Sequence, residues 1–164
     1  ELALSAQMRN IILVGMPSSG KSTIASALAE KLGRPLYEAD TLAEETAGMT
    51  IPEVFASQGE AGFRALETQV LSQLGKLSGA VISTGGGCVT REENYPLLHQ
   101  NGLIVWLLRD VEKLVKTGRP ISLKSDLNQL FSQREPRYRR FADVVVDNNG
   151  SIDETLNQLL EAIK

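Results

Sequence analysis

The stretch Gly15-Met-Pro-Ser-Ser-Gly-Lys-Ser-Thr23 limits what this chain can fold into more than any other feature. Gly15 to Ser22 fits the pattern Gly-x-x-x-x-Gly-Lys-Ser in full. A short apolar run, Asn10-Ile-Ile-Leu-Val14, precedes it and reads as a buried strand. After it, Ile24, Leu28 and Leu32 recur at helical spacing, and Gly33 is a natural stop. Strand, glycine-rich turn and helix in that order form a phosphate cradle. Backbone N–H groups must point inward at phosphate oxygens, and glycine permits both the turn and the close approach. The helix N-terminus adds its positive end. Gly15, Pro17, Ser18, Ser19, Gly20, Lys21, Ser22 and Thr23 are therefore the candidate ATP-binding residues. Lys21 would reach the β- and γ-phosphates, and the Ser22 hydroxyl would bind Mg²⁺. A switch, a motor and a small-molecule kinase all use such a loop, so the pattern alone leaves the reaction open.

Composition narrows the classes. A chain of 164 residues with 42% hydrophobic and 23% charged residues suits one globular domain, residues 1–164. Seventeen basic against 20 acidic side chains give a formal charge of −3, which points away from nucleic acid and membrane surfaces. The one cysteine, Cys88, rules out an internal disulfide and favours a reducing compartment, so a cytoplasmic protein is expected. No apolar run approaches the roughly 20 residues of a membrane-spanning helix. The chain starts at Glu1 without a signal-peptide pattern, which leaves open whether something precedes it. A monomer is expected.

Strand-like runs alternate with helical ones. Strands are expected at 10–14, 35–37, 80–83, 103–108 and 144–146. Helices are expected at 21–31, 41–47, 51–57, 59–77, 92–100, 110–116, 127–139 and 152–163, with Pro136 clouding the end of the seventh. Gly118–Ser125 shows no period and reads as a mobile loop. Strands separated by helices imply an α/β fold: a parallel sheet of about five strands with helices on both faces.

Beyond the loop, a set of residues recurs in a telling order: Tyr37-Glu-Ala-Asp40, then Ile51-x-x-Val-Phe55, Gly59-Glu60, Phe63-Arg64 and Glu67. Gly85-Gly86-Gly87 follows the third strand; Arg119-Pro120 and Arg134-Glu-Pro136-Arg-Tyr138 come later. From the phosphate loop to the last strand, the chain resembles the shikimate kinases. That resemblance implies a three-layer P-loop kinase fold with sheet order 2-3-1-4-5, a substrate-binding region at about 38–67 and a lid at about 116–127. It also implies ATP-dependent phosphorylation of the 3-hydroxyl of shikimate, with Mg²⁺ accompanying ATP. Asp40, Lys21 and Arg119 would be catalytic, with Arg119 as the lid arginine over the phosphates. Asp40, Arg64, Gly85, Gly86, Gly87 and Arg134 would bind shikimate. The chemistry agrees with this: a carboxylate suits arginine forks, hydroxyls suit an acidic acceptor and backbone amides, and Ile51, Phe55 and Phe63 offer apolar walls. Plainer readings exist. Asp40 could cap a helix starting at Thr41, Arg64 and Arg134 could be surface charges, and the glycines could form a simple turn.

Some positions depart from the family. Glu38 stands where an aspartate often supports Mg²⁺. Ile121-Ser122 follows the lid Arg-Pro where two leucines are usual. The stretch before Arg119 looks short, which leaves Lys116 as the basic candidate beside adenine. Asn148-Asn149-Gly150-Ser151 lacks an arginine often found near the base. Cys88 is expected to be packed, Trp106 to be core and His99 to have no role. Rival readings are a gluconate-type kinase of the same architecture and a nucleotide-binding domain without turnover.

Overall fold

The computed structural model describes residues 9–17, 19–114 and 121–163, with 121–125 as backbone. Five runs build one parallel sheet: β1 (Asn10–Val14), β2 (Leu36–Glu38), β3 (Val81–Ser83), β4 (Gly102–Leu108) and β5 (Val144–Asp147), in the order β2-β3-β1-β4-β5. Around it lie α1 (Lys21–Leu32), α2 (Ala39–Ala47), α3 (Ile51–Leu74), α4 (Asn94–His99), α5 (Val111–Leu114), α6 (Ile121–Phe141) and α7 (Ile152–Ile163), with a 3-10 turn at Cys88–Thr90.

β1 takes the centre because every one of its residues is apolar or can be satisfied when buried. Asn10, the polar exception, donates to the Leu77 carbonyl at 2.9 Å and accepts from the Ala80 N–H at 3.0 Å. Continuous apolar strands belong in a sheet covered on both faces. The pleat then sorts side chains by parity. Ile12, Val14, Ile82, Ile104 and Trp106 enter one core with Phe63, Val70 and Leu71 of α3. Ile11, Leu13, Val81, Val105 and Leu107 enter the other with Ile24 and Leu28 of α1 and Leu159 of α7. Among the described residues no helix is long and apolar enough to cross a membrane.

Several boundaries differ from the sequence expectation. The two helical pieces around residues 51–57 and 59–77 form α3, which bends at Gly59 (φ 73°, ψ −178°) and stops at Leu74. A capping box between Thr50 and Glu53 starts it, and the Ile51 N–H donates to Glu44 Oε2 at 2.8 Å, fixing α3 to the end of α2. The loop expected over Gly118–Ser125 is corrected for residues 121–125, which are helical and belong to α6. That helix also continues through Pro136 to Phe141. Ser18 and residues 115–120, which include Lys116 and Arg119, lie outside the described residues.

Candidate active site

The phosphate loop leaves the C-terminal end of β1, where the flanking strands β3 and β4 belong to opposite halves of the sheet. Beside it opens a cleft of about 400 Å³, whose lining includes Pro17, Lys21, Ser22, Glu38, Asp40 and Gly85. Lys21, the first residue of α1, is buried, and its Nζ donates to the carbonyls of Gly15 (2.8 Å) and Met16 (2.9 Å). Both acceptors are neutral. Burial therefore lowers its pKa from 10.5 to about 8. A buried ammonium whose hydrogen-bond partners among the described residues are carbonyls of its own loop fits an incoming anion. Ser22 Oγ donates to Glu38 Oε2 at 3.1 Å, so a hydroxyl and a carboxylate oxygen sit together at the cleft edge.

Asp40 lies in the first turn of α2, which starts at Ala39 without a side-chain cap, so capping does not explain it. Its side chain is open to the cleft. Partial desolvation raises its pKa; Glu44 adds to the rise, while Lys21 and Arg64 oppose it. The glycine triplet after β3 backs onto three other site residues. A Cβ on Gly85 would come within 2.7 Å of Asp40 Oδ1, and one on Gly86 within 2.7 Å of Pro17 Cδ. A Cβ on Gly87 would overlap the Arg64 guanidinium. Only a backbone without side chains lets the triplet approach all three.

Arg64 projects from α3 after the Gly59 bend. Its Nη1 donates to Glu67 Oε1 at 3.0 Å, and its guanidinium lies 5.2 Å from the Phe63 ring centre. Glu67 is buried, which pushes its carboxyl pKa up against the pull of Arg64. Arg64 Nε and Glu67 Oε2 are buried without a hydrogen-bond partner among the described residues. Phe63 stacks on Phe55 with centroids 4.9 Å apart, and Phe55 stays 38% exposed, as a pocket wall would. From α6 comes Arg134, whose charge is felt at Lys21, Glu67 and Tyr138. Tyr138 is fully buried, stacks on Trp106 and donates from its hydroxyl to the Gly86 carbonyl at 2.6 Å.

The family model for shikimate kinase matches residues 17–164. The chain belongs to the shikimate kinase family. A shikimate kinase of Parasynechococcus marenigrum (strain WH8102) is 45% identical over 84% of this chain and 76% of that protein. The structure titled as shikimate kinase from Acinetobacter baumannii in complex with shikimate is similar at TM-score 0.87 and 32% identity, covering 99% of this chain and 97% of that one. A gluconokinase from Sinorhizobium meliloti 1021 has TM-score 0.61 at 19% identity over 96% of this chain and 92% of that one, a likeness of fold alone.

Of the candidates, Lys21, Ser22, Asp40, Gly85 and Gly86 line the cleft, Gly87 packs on Arg64, and the charges of Arg64 and Arg134 reach Asp40 and Lys21. Ser18 and Arg119 lie outside the described residues. Four residues with a place at the site went without a role in the sequence reading. Glu67 is detectable three positions after Arg64 on a helix, the spacing of facing side chains. Tyr138 sits one helical turn after Arg134 and could be found the same way. Arg109 and Asn148 follow the C-terminal ends of β4 and β5, the sheet edge where ligands bind. They line a second hollow with Gly20, Thr23, Ile24 and Ile152, and it shares Gly20 and Thr23 with the cleft. The basic side chain described there is Arg109, whose Nη1 donates to the Asn148 carbonyl at 3.0 Å. Its Nε is buried without a hydrogen-bond partner among the described residues. Cys88 is buried as expected, and burial pushes its thiol pKa up to about 12.

Proposed function

We propose that this shikimate kinase divides transfer of the ATP γ-phosphoryl group to the 3-hydroxyl of shikimate among residues of four helices. One observation carries the division. Lys21, Asp40, Arg64 and Arg134 come from α1, α2, α3 and α6, yet Lys21 and Asp40 line one cleft and feel each other's charge, Asp40 feels that of Arg64, and Lys21 that of Arg134. The phosphates of ATP lie in the loop from Gly15 to Thr23, and Lys21 exchanges its two carbonyl partners for phosphate oxygens. The adenine enters the hollow beside Arg109. Ser22, supported by Glu38, would hold Mg²⁺; hydroxyl and carboxylate oxygens are what such a hard cation prefers. When bound, Mg²⁺ neutralises charge on the β- and γ-phosphates.

Shikimate sits against Phe55 and Phe63, with its carboxylate toward Arg64 and Arg134. Its hydroxyls meet Asp40 and the amides of the glycine triplet. As the oxygen–phosphorus bond forms and the bond to ADP breaks, the hydroxyl proton passes to Asp40. Positioning and charge neutralisation supply most of the rate. Coupled measurement of ADP release with shikimate, with gluconate and with no acceptor tests the assignment. Release that depends on shikimate is expected. Equal release without acceptor, or faster release with gluconate, overturns it.

A further inference from the structure

We propose that Asn148, at the end of β5, is a positioning residue that aims a backbone amide of the phosphate loop. The proposal rests on the phosphate-loop assignment above. Asn148 is 4% exposed, and its carboxamide bridges the phosphate loop and α7. Its Nδ2 donates to the Ser19 carbonyl at 2.6 Å. Its Oδ1 accepts from the Thr155 hydroxyl at 2.7 Å, in the first turn of α7. A backbone carbonyl can only accept, so the amide orientation is determined. The Asn148 backbone is itself pinned: its N–H donates to the Leu108 carbonyl at 2.8 Å, and its carbonyl accepts from Arg109 at 3.0 Å.

The consequence follows from peptide geometry. The Ser19–Gly20 peptide is planar and trans, so its N–H points opposite to its C=O. With the Ser19 carbonyl held outward by Asn148, the Gly20 N–H faces away from Asn148. It has no partner among the described residues, and Gly20 lines the cleft. Gly20 itself is left-handed (φ 90°), and a Cβ there would press on Asn148 Nδ2 at 3.2 Å. Glycine and asparagine are thus fitted to one another. Without Asn148, that peptide could turn over and direct a carbonyl oxygen at the phosphates. Thr155 fixes Asn148 and has no contact with the cleft.

Equilibrium titration of ADP in the presence of Mg²⁺, and separately of shikimate, tests this on the full chain. Asn148→Ala is expected to weaken ADP binding about tenfold, because a buried carbonyl loses its donor and the peptide loses its anchor. Thr155→Val, nearly isosteric and remote from the ligand, is expected to weaken it about threefold. The double variant should bind no worse than Asn148→Ala alone, since both substitutions remove one linkage. Shikimate affinity should stay within twofold throughout. ADP binding by Asn148→Ala within twofold of wild type overturns the proposal, as does an equal loss for shikimate. Should Asn148→Ala not fold, Thr155→Val decides by itself: unchanged ADP affinity is then the overturning result. If the wild-type chain fails to bind ADP, the phosphate-loop assignment itself falls.

Discussion

Asp40 bears the heaviest chemical demand of any single side chain in the proposed reaction. It must be ionised to accept a proton, and desolvation raises its pKa from the ordinary value. Activity is therefore lost as pH falls through a raised value, not through 3.8. Asp40→Asn keeps the shape and removes the acceptor. It should lower kcat by about a hundredfold or more, the usual worth of a general base, while changing the KM for shikimate far less. The acid limb of the kcat/KM profile should vanish with it. An acid limb unchanged in Asp40→Asn would assign that titration to another group.

At the scale of elements, α3 carries Phe55, Phe63 and Arg64, the residues proposed to hold shikimate. Its bend at Gly59 separates the Thr50 capping box from the turn that carries Arg64 and Glu67. Glu67 orients Arg64 by a 3.0 Å hydrogen bond from a buried position. Glu67→Ala should raise the KM for shikimate about tenfold and leave the KM for ATP unchanged. Glu67→Gln keeps an acceptor and should recover most of the loss; a matching rise in the KM for ATP would instead indicate general disruption. The α3 helix also shows how far the sequence can be read. Its apolar stripe from Phe63 to Leu74 betrays the helix, and Gly59 betrays the break, because both are local signals. The first turns of α6 are not legible for the opposite reason: Ser122, Lys124 and Ser125 interrupt any apolar period. The available signal was Pro120 immediately before Ile121, a residue common at helix starts. Arg64 and Asp40 were legible through a motif. The link from Asn148 to Ser19 is not, since the two lie 129 positions apart and only the folded sheet brings them together.

For the whole molecule, stability and function conflict at Lys21. Two apolar cores fix the central strand, and that rigid sheet holds an ammonium in a buried place where its hydrogen-bond acceptors among the described residues are neutral carbonyls and the charges of Asp40 and Glu38 offset only part of its desolvation. Its pKa falls from 10.5 in the unfolded chain to about 8 in the fold, so folding favours the neutral form. Below about pH 8 both states carry the charge, and the destabilisation is complete. Between about pH 8 and 10.5 the folded state sheds its proton first, and the destabilisation is relieved. A bound polyphosphate reverses the balance by supplying the missing negative charge. Lys21→Met keeps the length without the charge. In the absence of ligand at pH 7, this variant should melt at a higher temperature than wild type, and the gap should close as pH rises from 8 to 10.5. ADP with Mg²⁺ at a hundred times its Kd should raise the wild-type Tm by about 5–10 °C and leave Lys21→Met nearly unmoved. Thermal unfolding across that pH range, with and without ADP, measures both. A Lys21→Met chain less stable than wild type at pH 7, or one that gains as much from ADP, would mean the ammonium is compensated within the fold and is not held ready for phosphate.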